Sequence, residues 1–374
     1  MNKLLVIPAM AEYQWIFKTL DSLRSAQNYS QVKTIVVINN PRDCSKIIFD
    51  NNLMTWKKIK RDYPEIKLID KFSSSNAIPA DKHSVGLIRR IGFSQGLKDQ
   101  PSPTICFCMD ADTLVESNYF QVVQRKYDQS NLAGITVDSW HQLPEDVQLR
   151  DAMVKYELYL RYYYRAVQIT GTPYAFWSVG SSITFINDPY IKVGGFPAKK
   201  AGEDFYLLQK LKLHGDIEHI YTTRTYPAAR VSSRVPFGTG PALSRYLEGK
   251  INLNKLPAPH LFEEIKKWFN YLHNWSESGY PGELQFPSVN LKKFLQQWPA
   301  EEIIESCRKN SRTTQSFMNR YYLWFNGLRI RQFINYCGHH VDLNTGIKYF
   351  WKITGNDTET WLDFIRRNFN RSVN

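Results

Sequence analysis

The stretch Cys106–Val115, CFCMDADTLV, is apolar as far as Met109, then sets Asp110 and Asp112 one alanine apart before it turns polar. Its meaning depends on where that apolar run falls in the fold. Four β-rich runs, KLLVIP (3–8), KTIVVIN (33–39), EIKLID (65–70) and PTICFCMD (103–110), are each followed by a segment of helical period, at 12–26, 45–60, 84–97 and 116–127. This rhythm predicts βαβ units. The runs are apolar without strict alternation, which predicts a parallel sheet covered on both faces by helices. Right-handed crossovers then bring the C-terminal ends of the strands to one edge, where open α/β sheets bind their ligands. Asp110 and Asp112 are thus expected at that edge. Two neighbouring carboxylates raise each other's pKa unless a cation lies between them, and a divalent ion held by oxygen is the simplest candidate. The competing structural reading has Asp110 capping the turn and Asp112 capping the helix near Glu116.

A chain of 374 residues, 43% hydrophobic, can bury a large core. A net charge of +13 favours anionic partners, although the Lys and Arg residues are scattered and equally suit a solvated surface. Cysteines at 44, 106, 108, 307 and 337 give neither a disulfide framework nor the paired spacing of a zinc site, so a reducing compartment fits best. No signal-peptide pattern and no run of about 20 apolar residues is present, so a cytoplasmic protein is expected, with peripheral contact at the inner face of a membrane left open. The pattern turns irregular after residue 132, with strands expected at 132–137 and 181–186 and helices at 147–168 and 204–213. Beyond 246 it is mainly helical, at 262–272, 301–307, 316–336 and 358–369. The stretch NKLPAPH (254–260) reads as a linker. The expected domains are 1–245, in halves 1–115 and 116–245, and a helical region, 246–374.

Four segments in order, VIPAMAEY (6–13), VGLIRRIG (85–92), MDAD (109–112) and AGEDFYLLQKL (201–211), resemble the motifs of family 2 inverting glycosyltransferases of the GT-A fold. The resemblance spans roughly 3–240 and implies a GT-A type, Rossmann-like α/β domain acting on a UDP- or GDP-sugar with Mg²⁺ or Mn²⁺. It implies that Asp112 holds the metal and that Asp110 contacts the ribose or a metal-bound water, with Ala111 between them. Asp204 is then the base that takes the acceptor hydroxyl's proton, with Glu203 beside it. Pro8, Ala9, Glu12, Asp81 and Arg89 are placed on the nucleotide sugar. Arg90 stands where the family usually has asparagine, and Asn39 and Asn40 stand where it often has an aspartate pair. Trp177 and Gly180 are candidates for the acceptor pocket, and Arg230 and Arg234 for a diphosphate or an acidic acceptor. The Gln-x-x-Arg-Trp motif of processive members is absent, which implies single transfers. The acceptor is a glycan, glycolipid or small molecule, with polysaccharide synthesis as the expected setting.

Each residue also has a structural reading. Asp204 and Asp81 can cap helices, Asp70 a loop, Arg89 and Arg90 can be exposed helix cations, Tyr174 and Trp177 core aromatics, and His214 and His219 ordinary histidines rather than metal ligands. Rival functions exist too. A haloacid-dehalogenase-type phosphatase also uses Asp-x-Asp-x-Thr, here Asp110, Asp112 and Thr113, but its nucleophile follows the first strand and it needs a lysine motif. A nucleic-acid-binding protein draws only on charge and aromatics. A nucleotidyltransferase lacks its glycine-rich loop after VIP.

Overall fold

The computed structural model describes residues 1–98, 100–197, 199, 202–232 and 238–369. The chain divides into two compact units, Met1–Met153 with Phe176–Glu248, and Val154–Ala175 with Gly249–Asn374.

The first unit is built on one sheet of eight strands: β1 (Asn2–Ala9), β2 (Val32–Asn39), β3 (Lys67–Lys71), β4 (Thr104–Cys108), β5 (Thr113–Val115), β6 (Leu132–Ser139), β7 (Ile183–Ile186) and β8 (Asp216–Pro227). Their order is β3-β2-β1-β4-β7-β6-β8-β5. The first four are mutually parallel. Beyond β4 the sheet is mixed, with β7 antiparallel to both β4 and β6, β8 parallel to β6, and β5 antiparallel to β8. The α/β class expected from the sequence is what this unit adopts.

Strand β1 shows why the run was continuous. Leu5 and Ile7 join one core with Ile16, Leu20, Val36 and Phe107, whereas Leu4 and Val6 join a second core with Ile35, Ile88, Phe93 and Leu207. Alternate residues face opposite sides, and helices cover both. One layer is formed by α1 (Ile16–Ser25), α2 (Lys46–Asp62) and, after β5, α4 (Tyr119–Gln129); the other holds α3 (Val85–Leu97) and α7 (Glu203–Leu211). The unit also contains the start of α5 (Val147–Ile169), α6 (Asn187–Lys192) and α8 (Thr239–Leu247).

Helix α3 matters most for the site. Ser84 caps it, its side chain accepting from the Leu87 amide. Phe93 sits in an aromatic cluster, 5.0 Å from Phe185, 5.5 Å from Tyr190 and 6.0 Å from Phe196, contacts worth about 0.5–1.5 kcal/mol each. At its N-terminus the helix approaches α7 so closely that a Cβ on Gly86 would lie 2.5 Å from the Pro197 carbonyl and 3.0 Å from Glu203 Cβ. Only glycine fits there, and that closeness sets Arg89 against Glu203.

The second unit is mainly helical: α9 (Pro259–Glu277), α10 (Val289–Leu295), α11 (Ala300–Lys309), α12 (Thr314–Trp324), α13 (Gly327–Cys337), α14 (Leu343–Phe350) and α15 (Thr358–Asn368), with a ribbon of β9 (Lys255–Pro257) and β10 (His340–Asp342). Trp268 is buried and donates to the Tyr321 hydroxyl at 2.7 Å. Glu157 bridges Arg161 and Arg366 at 2.9 and 2.6 Å, and neither Glu157 nor Arg161 is exposed. Two expectations are corrected in this unit. NKLPAPH is no linker: Lys255–Pro257 pairs with β10, and Pro259 opens α9, where its missing N–H costs nothing. The single helix expected over 316–336 is two, because the Asn326 side chain accepts from the Leu328 and Arg329 amides and starts α13 afresh. Among the described residues no helix is long and apolar enough to cross a membrane.

Candidate active site

The order β3-β2-β1-β4 reverses direction at β1: the chain runs outward from β1 to β2 and β3, then returns to place β4 on the other side. A crevice opens between the β1 and β4 loops at such a point, and it is where these sheets bind ligands. The register sets the two loops side by side, since Val6 pairs with Cys108 and so Pro8 lies level with Asp110. Glu12 comes from the first loop, and Asp110, Ala111 and Asp112 from the second. Ala111 is pinned by the Thr19 hydroxyl, which donates to its carbonyl at 3.0 Å.

Two arginines knit these loops to distant segments. Arg89 donates from Nη2 to Asp110 Oδ1 and from Nη1 to Glu203 Oε1, each at 2.6 Å. Its side chain is 3% exposed and that of Glu203 7%, whereas Asp110 is 40% exposed, so the pair opens to the crevice through Asp110. Arg230 donates from Nε to Asp112 Oδ2 at 2.7 Å and from Nη2 to Glu12 Oε1 at 2.6 Å, over the ring of Trp15. Charge-assisted forks of this kind fix geometry as well as charge. The expected alternative for Arg89, an exposed helix cation, is not what the structure shows. Gly180 makes the burial possible, because a Cβ there would meet the guanidinium at 2.8 Å.

The electrostatics follow from this packing. Burial opposes a charge on Arg89, but Asp110 and Glu203 hold it protonated. Burial raises the pKa of Glu203 and Arg89 pulls it back. Asp204, the second residue of α7, is pushed up to about 7 by burial and by the adjacent Glu203, while Arg89 opposes the rise. Its Oδ1 accepts from the Phe205 amide at 2.7 Å. Asp112 rises to about 6, from burial first and then from Asp110 and Glu12, against the pull of Arg230. The buried Arg89 Nε and Ser181 hydroxyl have no hydrogen-bond partner among the described residues.

The donor set fits a magnesium- or manganese-type ion. Such ions take one or two carboxylates, keep waters and draw further oxygens from a bound phosphate. Asp112 and Asp110, each accepting from an arginine in this structure, are the carboxylates that would supply them. Among the described residues there is no group of three or more His, Cys, Asp or Glu side chains that could hold an ion.

The other candidates are placed as follows. Pro8 and Ala9 end β1, with Ala9 buried. Asp81 is exposed ahead of α3 and makes no hydrogen bond or ion pair among the described residues. Asp70 caps its own loop, accepting from the Phe72 and Ser73 amides, the Ser73 hydroxyl and Asn76. Arg90 donates to the Phe196 carbonyl at 2.8 Å. Trp177 is 2% exposed and donates to the Ser139 hydroxyl, a core position, and Tyr174 is buried as well. His219 contacts Thr136 on β6 through Nδ1 at 2.9 Å. Arg234 lies outside the described residues. Sequence reasoning missed Trp15, Ser181 and Asn52. Asn52 sits in α2, where its side chain donates to the Asn39 carbonyl and Asn40 Oδ1 and accepts from the Ala11 amide. No local signal marks a buried asparagine on a helix.

No protein-family model matches the chain, and no curated protein matches it. Among solved structures the chain is similar to S. aureus TarS residues 1–349 in complex with UDP-GlcNAc, at 14% identity over 93% of this chain and 91% of that one, with a TM-score of 0.44. It is also similar to the mannosyltransferase PcManGT from Pyrobaculum calidifontis in complex with GDP-Man and Mn²⁺, at 13% identity over 94% and 88%, with a TM-score of 0.42. GalNAc-T7 with UDP, GalNAc and Mn²⁺ follows at 12% identity over 86% of this chain and 57% of that one, with a TM-score of 0.42.

Proposed function

We propose that this chain is a metal-dependent inverting glycosyltransferase of the GT-A type, in family 2, which moves a sugar from a UDP- or GDP-sugar to an acceptor hydroxyl in single transfers. The observation that carries the reading is the convergence of Glu12, Asp110, Asp112 and Arg230 at the sheet's switch point, with Arg89 bridging Asp110 to Glu203, the neighbour of a carboxylate raised to about 7.

A leaving nucleoside diphosphate gathers negative charge. Asp112, with Asp110 beside it, would hold a Mg²⁺ or Mn²⁺ ion, which would supply positive charge to stabilise this leaving group. Arg230 supports the same end, since its guanidinium lies against Asp112 and can fork onto phosphate oxygens. Arg89 and Glu203 hold Asp110 and the start of α7 in fixed relation. Asp204 takes the proton from the acceptor hydroxyl, and a pKa near 7 makes its carboxylate both present at neutral pH and basic enough for the task. The acceptor, a glycan, glycolipid or small molecule, is selected by pocket shape.

The phosphatase alternative fits less well. It calls for a lysine beside its aspartates, and among the described residues no lysine joins the network.

The test is a panel of UDP- and GDP-sugars screened for thermal stabilisation with and without Mn²⁺, because a ligand that binds only the folded state raises its melting temperature. At least one member should stabilise the protein, and only with the metal present. A panel that shifts nothing in either condition removes the proposal.

A further inference from the structure

A hydrogen-bonded side-chain chain beside the crevice has no part in the chemistry above. Asn39, the last residue of β2, donates from Nδ2 to the Ala9 carbonyl at 3.0 Å and to the Val37 carbonyl at 3.1 Å. Those two carbonyls fix the amide, since the flipped arrangement would set oxygen against oxygen. Asn39 Oδ1 is therefore only an acceptor, and it lies 2.8 Å from His83 Nε2. His83 must then carry its hydrogen on Nε2. Burial lowers its pKa and favours the neutral ring, so Nδ1 presents a lone pair. Among the described residues no hydrogen bond to Nδ1 is formed.

The position of this atom follows from the topology. Diphosphate oxygens belong at Asp112 and Arg230, and the sugar belongs toward Asp204 on the β4 and α7 side. The nucleoside has to extend the other way from the switch point, over the ends of β1, β2 and β3. Ala9 and Asn39 end β1 and β2 at that edge, and His83, one residue before the α3 cap, contacts Asn39 there.

Resting on the glycosyltransferase reading, we infer that His83 determines nucleobase specificity, its Nδ1 accepting a hydrogen bond from a ring N–H on the pairing edge of the base. Uracil offers N3–H and guanine N1–H at that edge. Cytosine N3 and adenine N1 are acceptors there, and two lone pairs facing each other repel. Asn39, Asn40 and Asn52 form the neutral framework that holds the ring, and an aspartate at 39 could not donate to the two carbonyls that set it.

The experiment is calorimetric titration of UDP, GDP, CDP and ADP, each with Mn²⁺, into wild-type protein, His83→Phe and His83→Gln, with melting temperatures recorded for all three. Wild type should prefer UDP or GDP. His83→Phe should weaken that preferred ligand about 10- to 100-fold and leave CDP and ADP unchanged, the size expected when a buried donor loses its acceptor. His83→Gln, which can still offer an oxygen, should recover part of the loss. If wild type binds a diphosphate and both folded variants keep its affinity and base preference, the inference falls while the function stands. If wild type binds none of the four, the glycosyltransferase reading fails and takes the inference with it.

Discussion

Asp204→Asn is expected to lower kcat about 10²- to 10⁴-fold, the usual contribution of a positioned general base, while raising the melting temperature at neutral pH. Both effects come from one cause. Burial and Glu203 lift the Asp204 pKa to about 7, well above the usual carboxylate range. In the wild type the rate should rise with pH through about 7 as the carboxylate forms. Between the ordinary value and 7 the native state binds more protons than the unfolded chain, so this group's contribution to stability falls as pH rises through that window. Asparagine cannot ionise and escapes the loss. The gap in melting temperature between variant and wild type should therefore widen from about pH 4 to about pH 7 and then level off. Because Asp204 and Glu203 interact, the measured pKa belongs to the pair. A variant with wild-type kcat, or a gap that does not change with pH, refutes this role.

Arg89→Met should be the most damaging substitution to the first unit. It removes one cation and leaves two carboxylates, Asp110 and the buried Glu203, without their partner. Breaking a buried pair in this way costs about 3–5 kcal/mol, read as a lower urea midpoint of the first unit. Arg89→Lys keeps the charge but loses the fork, and should fall between the two. A midpoint unchanged in Arg89→Met contradicts the bridging role.

The first four strand and helix units were legible because each is a local pattern. Leu4 and Val6 face one core and Leu5 and Ile7 the other, so the run alone announces a strand covered on both sides. Strand β8, Asp216–Pro227, was missed. Its DIEHIYTTRTYP is only half-buried and polar, and what makes it a strand is pairing with β6 and β5 far away in the sequence. The break between α12 and α13 was written in Asn326–Gly327, a capping pair inside a helical period.

The same division runs through the site. The loop residues Glu12, Asp110 and Asp112 could be found from their place after strands. Arg89, Glu203 and Arg230 were candidates as well, but which groups they pair with could not be read, because Arg230 reaches Asp112 across 118 residues and Arg89 reaches Glu203 across 114. Whether a helix arginine is solvated or buried depends on a glycine elsewhere, here Gly180, leaving room for its guanidinium. Trp177 and Tyr174 carried no signal that separated a pocket wall from a core, and the structure packs both inside.

The central claim is that Asp112 joins a divalent ion to the diphosphate of a sugar nucleotide at the switch point of the sheet. Its most direct test is calorimetric titration of UDP and GDP, with and without Mn²⁺, into wild-type protein and Asp112→Asn. The account predicts that Mn²⁺ strengthens binding of one of these nucleotides to the wild type and leaves its binding to the variant unchanged. An equal gain from the metal in both proteins would contradict it.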